Sequence, residues 1–201
     1  MRYGDGRPNP IGIHAPVWVS GWSGPECDPA LRATKQAGYD FIEIPLPDPS
    51  RADGTWTRNK LAAYGLSAFC SLGLSFANDV SSPDPDVVQR GAALLLEALD
   101  VASALGAHYL GGVLYRAMGN YHATAVAGTV SQVASVLRRL ADQARERGVT
   151  IGIEPVNRCG SNLINATRQA LTLIELTGAP NIVIHLNAYH VNIEEGILSD
   201  P

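Results

Sequence analysis

Three cysteines, Cys27, Cys70 and Cys159, are all that the 201-residue chain contains. They are odd in number, sit at unrelated spacings and form no CxxC pair, so neither a disulfide framework nor a zinc knuckle is indicated. They read as reduced thiols. Fifteen lysines and arginines stand against 19 aspartates and glutamates, a formal charge of −4, and no basic run occurs. That excludes an electrostatic footprint for nucleic acid and disfavours an anionic membrane surface. No apolar run approaches the roughly 20 residues of a membrane span, and the opening MRYGDGRPNP has an arginine but no apolar h-region. A cytoplasmic location is the default expectation. No GxGxxG follows the first strand pattern and no P-loop occurs, so nucleotide binding has no support.

What remains is a globular balance, 46% hydrophobic and 17% charged, with enough length for a sizeable core. One domain over residues 1–201 is expected. Strand and helix patterns alternate along it. Short strands are expected over residues 11–14, 39–44, 66–72, 108–112, 150–154 and 182–187. In the second of them Phe41 and Glu43 oppose Ile42 and Ile44. Between the strands, Asp28-Pro29 starts a helix that Gly38 ends, and a short helix covers about 59–64. SSPDPD opens a long helix with Val88, Ala92, Leu95, Leu99 and Ala102 on one stripe. Another amphipathic helix runs from about 124 to 147 with Val133, Leu137 and Leu140 inward. Asn165 is expected to cap a helix that buries Leu171 and Ile174, and Asn192 with Glu195 to form a capping box on the last one.

Six strands, each followed by helical pattern, is β/α repetition. The reading is an α/β fold of (β/α)8 TIM-barrel type. A closed barrel typically takes roughly 250 residues, so the chain reads as truncated after the sixth strand, an open and incomplete barrel. An open doubly wound sheet is the alternative.

Glu154 is the chemically placed residue. Side chains alternate along a strand, so Ile151 and Ile153 face one way and Gly152 and Glu154 the other, at a strand's carboxyl end, where β/α folds build their sites. Asn187 ends the next strand and should face the same pocket. His185, one layer deeper, reads as a hydrogen-bonded interior histidine. His108 and His122 have no evident partner, and Trp18 and Trp22 read either as pocket walls or as loop residues packed over the strand ends, the second reading being favoured for Trp22.

The segments IGIEPVNR, NLINATRQAL, PNIVIHLNAYHVNIEE, CSLGLSFANDVSSPDPDVVQRG and GGVLYRAMGNY together resemble the ketose 3-epimerases (D-tagatose and D-psicose 3-epimerases) of the xylose-isomerase-like barrel superfamily. The resemblance implies a divalent-metal enzyme, using manganese, cobalt or magnesium, that epimerises free ketoses at C3 through an enediolate. It makes Glu154 the catalytic and metal-binding glutamate and Asn187 the counterpart of a metal aspartate. It places His14, Cys70, Arg158 and His190 against the substrate, with Glu43 and Tyr115 as further pocket candidates. Three departures follow from it: Asn187 stands where the family has aspartate, Gly160 where it has a substrate-contacting glutamate, and the remaining metal histidine and second catalytic glutamate fall beyond Pro201. Weak or no metal binding by this polypeptide alone, and little or no epimerase activity, are expected. The expected partners are a small ketose and, for an open barrel with two bare sheet edges, further copies as a homo-oligomer. The competing reading is a catalytically incompetent fragment or degenerate barrel acting through association with another chain. A DNA-repair endonuclease on the same superfold is the remote alternative, disfavoured by the missing basic groove and zinc histidines.

Overall fold

The computed structural model describes residues 9–121 and 128–195. Six strands, β1 (Gly12–His14), β2 (Phe41–Pro45), β3 (Ser67–Leu74), β4 (Tyr109–Ala117), β5 (Thr150–Ile153) and β6 (Ile182–Ile184), lie side by side in chain order. Every neighbouring pair is parallel. Helices α1 (Asp28–Gln36), α2 (Gly54–Tyr64), α3 (Pro85–Leu105), α4 (Thr129–Glu146) and α5 (Thr167–Thr177) make the crossovers, and α6 (Ala188–Glu194) follows β6. Parallel neighbours in sequential order with helical crossovers are the construction of a β/α barrel wall. Among the described residues β1 and β6 each have one strand neighbour, so the wall is open.

Alternation sorts the strands' side chains into two environments. Ile42 and Ile44 of β2, Ala68, Cys70 and Leu72 of β3, and Ile151 and Ile153 of β5 are buried in one core with Leu95, Leu99, Leu137, Leu140 and Leu173 of the helices. The opposite faces look into the barrel. There Phe41 stacks on Phe69 at 4.4 Å between ring centres, and Phe69 meets Tyr109 at 5.1 Å. Two glycines make room for Tyr109: a Cβ on Gly152 would sit 1.8 Å from its hydroxyl, and one on Gly111 2.5 Å from its ring. This aromatic layer floors whatever lies at the strands' carboxyl ends, because Phe69 pairs in register with Glu43 and precedes Ser71 and Gly73 on the same face.

Several expected boundaries shift. α4 begins at Thr129; the earlier start near residue 124, and His122, lie outside the described residues. Asn165 does not cap α5. Its amide donates to the carbonyls of Val156 and Ser161, and Gln169 Oε1 instead accepts the N–H groups of Asn165 and Ala166. Leu171, expected inward, is exposed, and Ala170 and Leu173 are buried in its place. The Asn192–Glu195 capping box is not formed: α6 is capped by Asn187, and Glu195 Oε1 accepts from Thr167 N and Oγ1 at the start of α5.

Candidate active site

Glu154 is the first residue past β5, and its N–H continues the ladder to Gly112 O at 3.1 Å. The side chain therefore keeps the phase of Gly152 and turns into the barrel mouth, where a cleft of about 420 Å³ opens. One wall carries His14 and Glu43, paired in register across β1 and β2, with His14 Nε2 3.8 Å from Glu43 Oε1. The opposite wall carries Glu154, His185 and Asn187, and Ser71, Gly73, Val113 and Met118 lie between. A larger hollow of about 530 Å³ lies between the loops after β1 and β2, bounded by Trp22, Glu26, Asp48 and Arg51 and sharing Pro47 with the cleft. It holds no converging strand-end groups, so the smaller cleft is the chemical candidate.

Nitrogen donors surround Glu154. Asn187 Nδ2 donates to Glu154 Oε1 at 2.9 Å, while Asn187 Oδ1 accepts from Tyr189 N at 3.0 Å and so caps α6. His190 Nε2 lies 3.9 Å from the same Glu154 oxygen, both side chains only 14% exposed. Below them Tyr109 hydrogen-bonds His185 Nδ1 at 3.0 Å. Burial, then the nearby Glu154 and Glu43 carboxylates, push the Tyr109 phenol well above its ordinary range, so it stays protonated.

An inward-facing carboxylate at a parallel strand's end narrows the fold families, and the sequence comparison decides among them. A family model described as a xylose isomerase-like TIM barrel matches residues 31–200. The chain belongs to that family. It is 41% identical over 191 residues to a ketose 3-epimerase of Arthrobacter globiformis, covering 95% of this chain and 66% of that protein. It is 42% identical over 184 residues to an L-ribulose 3-epimerase of Methylomonas sp. (strain DH-1), covering 92% and 64%. The chain thus spans just under two thirds of these curated relatives. Among solved structures, a D-allulose 3-epimerase from Methylomonas sp. in complex with D-allulose superposes with a TM-score of 0.89 at 41% identity, covering 94% of this chain and 66% of that one.

Within this xylose isomerase-like barrel the expected site residues separate. Glu154, Asn187, His14 and Glu43 line the cleft. His190 does not; it stands behind Glu154. Cys70 is a correction: it shares the phase of Ala68 and Leu72 and is buried in the core on the helix side of β3, with Ser71 and Gly73 facing the cleft instead. Burial, with Glu43 nearby, pushes its thiol up to about 12, so it is no nucleophile. Arg158 is a second correction. It lies on the surface, gripping Glu194 with two nitrogens and its backbone N–H and holding that carboxyl down at about 2, which ties the loop after β5 to α6. Tyr115 is the third: it is fully buried and its hydroxyl donates to Ile164 O at 2.8 Å. Tyr115→Phe should therefore leave the cleft intact and lower stability by about 0.5–1.5 kcal/mol, the net worth of one hydrogen bond, since Ile164 O still accepts from Val156 N at 3.3 Å; a shifted urea midpoint reads it. Sequence reading missed Asn157 and Tyr109; an asparagine in the loop straight after Glu154 was the available signal for the first.

A divalent cation needs several oxygen or imidazole ligands with free lone pairs. Glu154 supplies one carboxylate, but the adjacent Asn187 turns its N–H side toward it and its oxygen toward the α6 backbone. Among the described residues no group of three or more His, Cys, Asp or Glu is disposed to hold a metal. As they stand, these residues do not fit the cation that the fold family implies. Calorimetric titration with manganese should accordingly give no micromolar binding to this chain, and a micromolar isotherm would refute that.

Proposed function

We propose that this chain serves C3 epimerisation of a free ketose, with Glu154 as the group that takes the C3 proton. The observation that carries this is Glu154 itself, aimed into a cleft rimmed by parallel strand ends, in a chain about two fifths identical to ketose 3-epimerases. A C–H beside a carbonyl becomes removable when a base is held within reach and its negative charge can spread to the adjacent oxygen as an enediolate. Inversion then requires return of a proton to the other face. Glu43, on the wall opposite Glu154, is the second carboxylate of the cleft among the described residues, and its near neighbour is His14. Proton removal is therefore better provided for than stereochemically inverting return.

The test follows from that asymmetry. D-Allulose, D-tagatose or L-ribulose is incubated in deuterium oxide with the protein, with and without added manganese, and proton NMR follows the C3 signal. Exchange at C3 that outruns net epimerisation is expected; no exchange above the protein-free rate would sink the reading. One feature favours a second reading, in which the chain works only when joined to another: among the described residues β1 and β6 are open edges, and Ile11, Val183 and Leu186 beside them are exposed. Light scattering tests it: C3 exchange by a species of 21.3 kDa, the mass of one chain, would overturn this second reading.

A further inference from the structure

His190 touches Glu154 from behind, and what it presents there is decided by the loop after β5. Asn157 Oδ1 accepts from Cys159 N at 3.0 Å, which identifies the other terminal atom of that amide as the NH2 group. That group lies 2.9 Å from His190 Nδ1, and the backbone N–H of Asn157 donates to the same nitrogen at 3.2 Å. Two N–H donors converging on one ring nitrogen require it to be a bare acceptor, and a neutral imidazole then carries its proton on the other nitrogen. Asn157 is 95% buried, so water does not compete for these bonds. We infer that Asn157 is a positioning residue: it locks His190 as the Nε2–H tautomer, so that His190 and Asn187 both turn N–H groups toward the Glu154 carboxylate. Glu154 is thereby held between two neutral donors, one at 2.9 Å and one at 3.9 Å. A neutral donor orients a base without taking its proton-accepting role, which an Nδ1–H ring with a bare Nε2 would fail to do, since two acceptors would then face each other.

The kinetic consequence rests on the proposed proton transfer at Glu154; the tautomer does not. Long-range ¹H–¹⁵N spectra of histidine-labelled full chain, with His190 assigned from the His190→Gln spectrum, read the protonated nitrogen directly. Wild type is expected to show Nε2 protonated and Nδ1 bare. Asn157→Asp keeps an oxygen for Cys159 N, preserving the turn, and places a second oxygen against Nδ1, so the proton should move to Nδ1. Asn157→Ala leaves only the backbone donor and should give a mixture of tautomers. A wild-type ring protonated on Nδ1, or a single unchanged Nε2–H form in both variants, overturns the inference. In parallel, the C3 exchange rate should fall about 10- to 100-fold in Asn157→Asp, the scale seen when a partner that orients a site histidine is lost, with kcat falling more than KM rises. A moved proton with an unchanged exchange rate would overturn the positioning role. Absence of exchange in wild type would instead defeat the epimerase reading, and the spectra would still decide the tautomer.

Discussion

Glu154→Gln is expected to slow C3 proton exchange of a bound ketose by about 10²- to 10⁴-fold, the usual worth of a positioned general base. Glutamine is the informative replacement. Its carbonyl can still accept from Asn187 Nδ2, the 2.9 Å bond that Glu154 Oε1 makes now, so the α6 cap at Asn187 and the packing behind it persist. What disappears is a group able to accept a proton. Loss of exchange with unchanged urea midpoint and unchanged ketose affinity would assign the loss to proton transfer alone. The same experiment on Glu43→Gln discriminates the two walls: it should leave exchange at C3 within a few-fold of wild type if proton removal occurs only on the Glu154 side. Equal rates for wild type and Glu154→Gln would remove Glu154 from the chemistry, whatever the family.

How much of this arrangement could be read from sequence depended on whether one strand or two elements had to be known. The phase of β5 was legible because Ile151 and Ile153 alternate with Gly152 and Glu154, and period-two alternation fixes a face without tertiary information. The same rule applied to β3 puts Cys70 with Ala68, Leu72 and Leu74, so its burial was available from the sequence; the family resemblance pulled it into the pocket against its own alternation. Arg158 and Tyr115 are different. Their partners, Glu194 and Ile164, lie 36 and 49 residues away, and no local pattern reports such pairings. The aromatic floor was equally hidden, because Tyr109 fits only where glycines of β4 and of neighbouring β5 leave space across the sheet. Orientation was least legible of all. Asn187 was readable as a strand-end oxygen donor, but the α6 N-terminus claims that oxygen, since the first N–H groups of a helix lack partners of their own. Capping therefore decides which end of the amide meets Glu154, and with it whether the site resembles a cation cage or a hydrogen-bonded base.

The second large effect concerns folding. Asp79→Ala should destabilise the chain by about 3–5 kcal/mol, the range for removing one partner of a buried charge arrangement. Asp79 is buried after β3, where its Oδ1 accepts from Ser81 N at 2.8 Å and Ser81 Oγ at 2.6 Å, and its Oδ2 from the Tyr121 hydroxyl at 2.6 Å. The Tyr121 ring lies 3.6 Å from the guanidinium carbon of Arg116, itself 95% buried, with Nε and Nη1 lacking hydrogen-bond partners among the described residues. A buried cation with two idle donors is costly, and the ring face together with the carboxylate on that ring's hydroxyl offsets it. Tyr121→Phe keeps the stacked ring and removes the hydroxyl that meets Asp79 Oδ2 and, at 3.3 Å, Ala117 O, so it should cost less, about 1–2 kcal/mol. Arg116→Met, which removes the buried charge and keeps much of its volume, should recover most of the Asp79→Ala loss in the double variant. Urea unfolding of the four proteins closes this cycle. Simple additivity of Asp79→Ala and Arg116→Met would show that the two charges, bridged through Tyr121, do not sense one another, and that Asp79 acts only by holding the turn at Ser81.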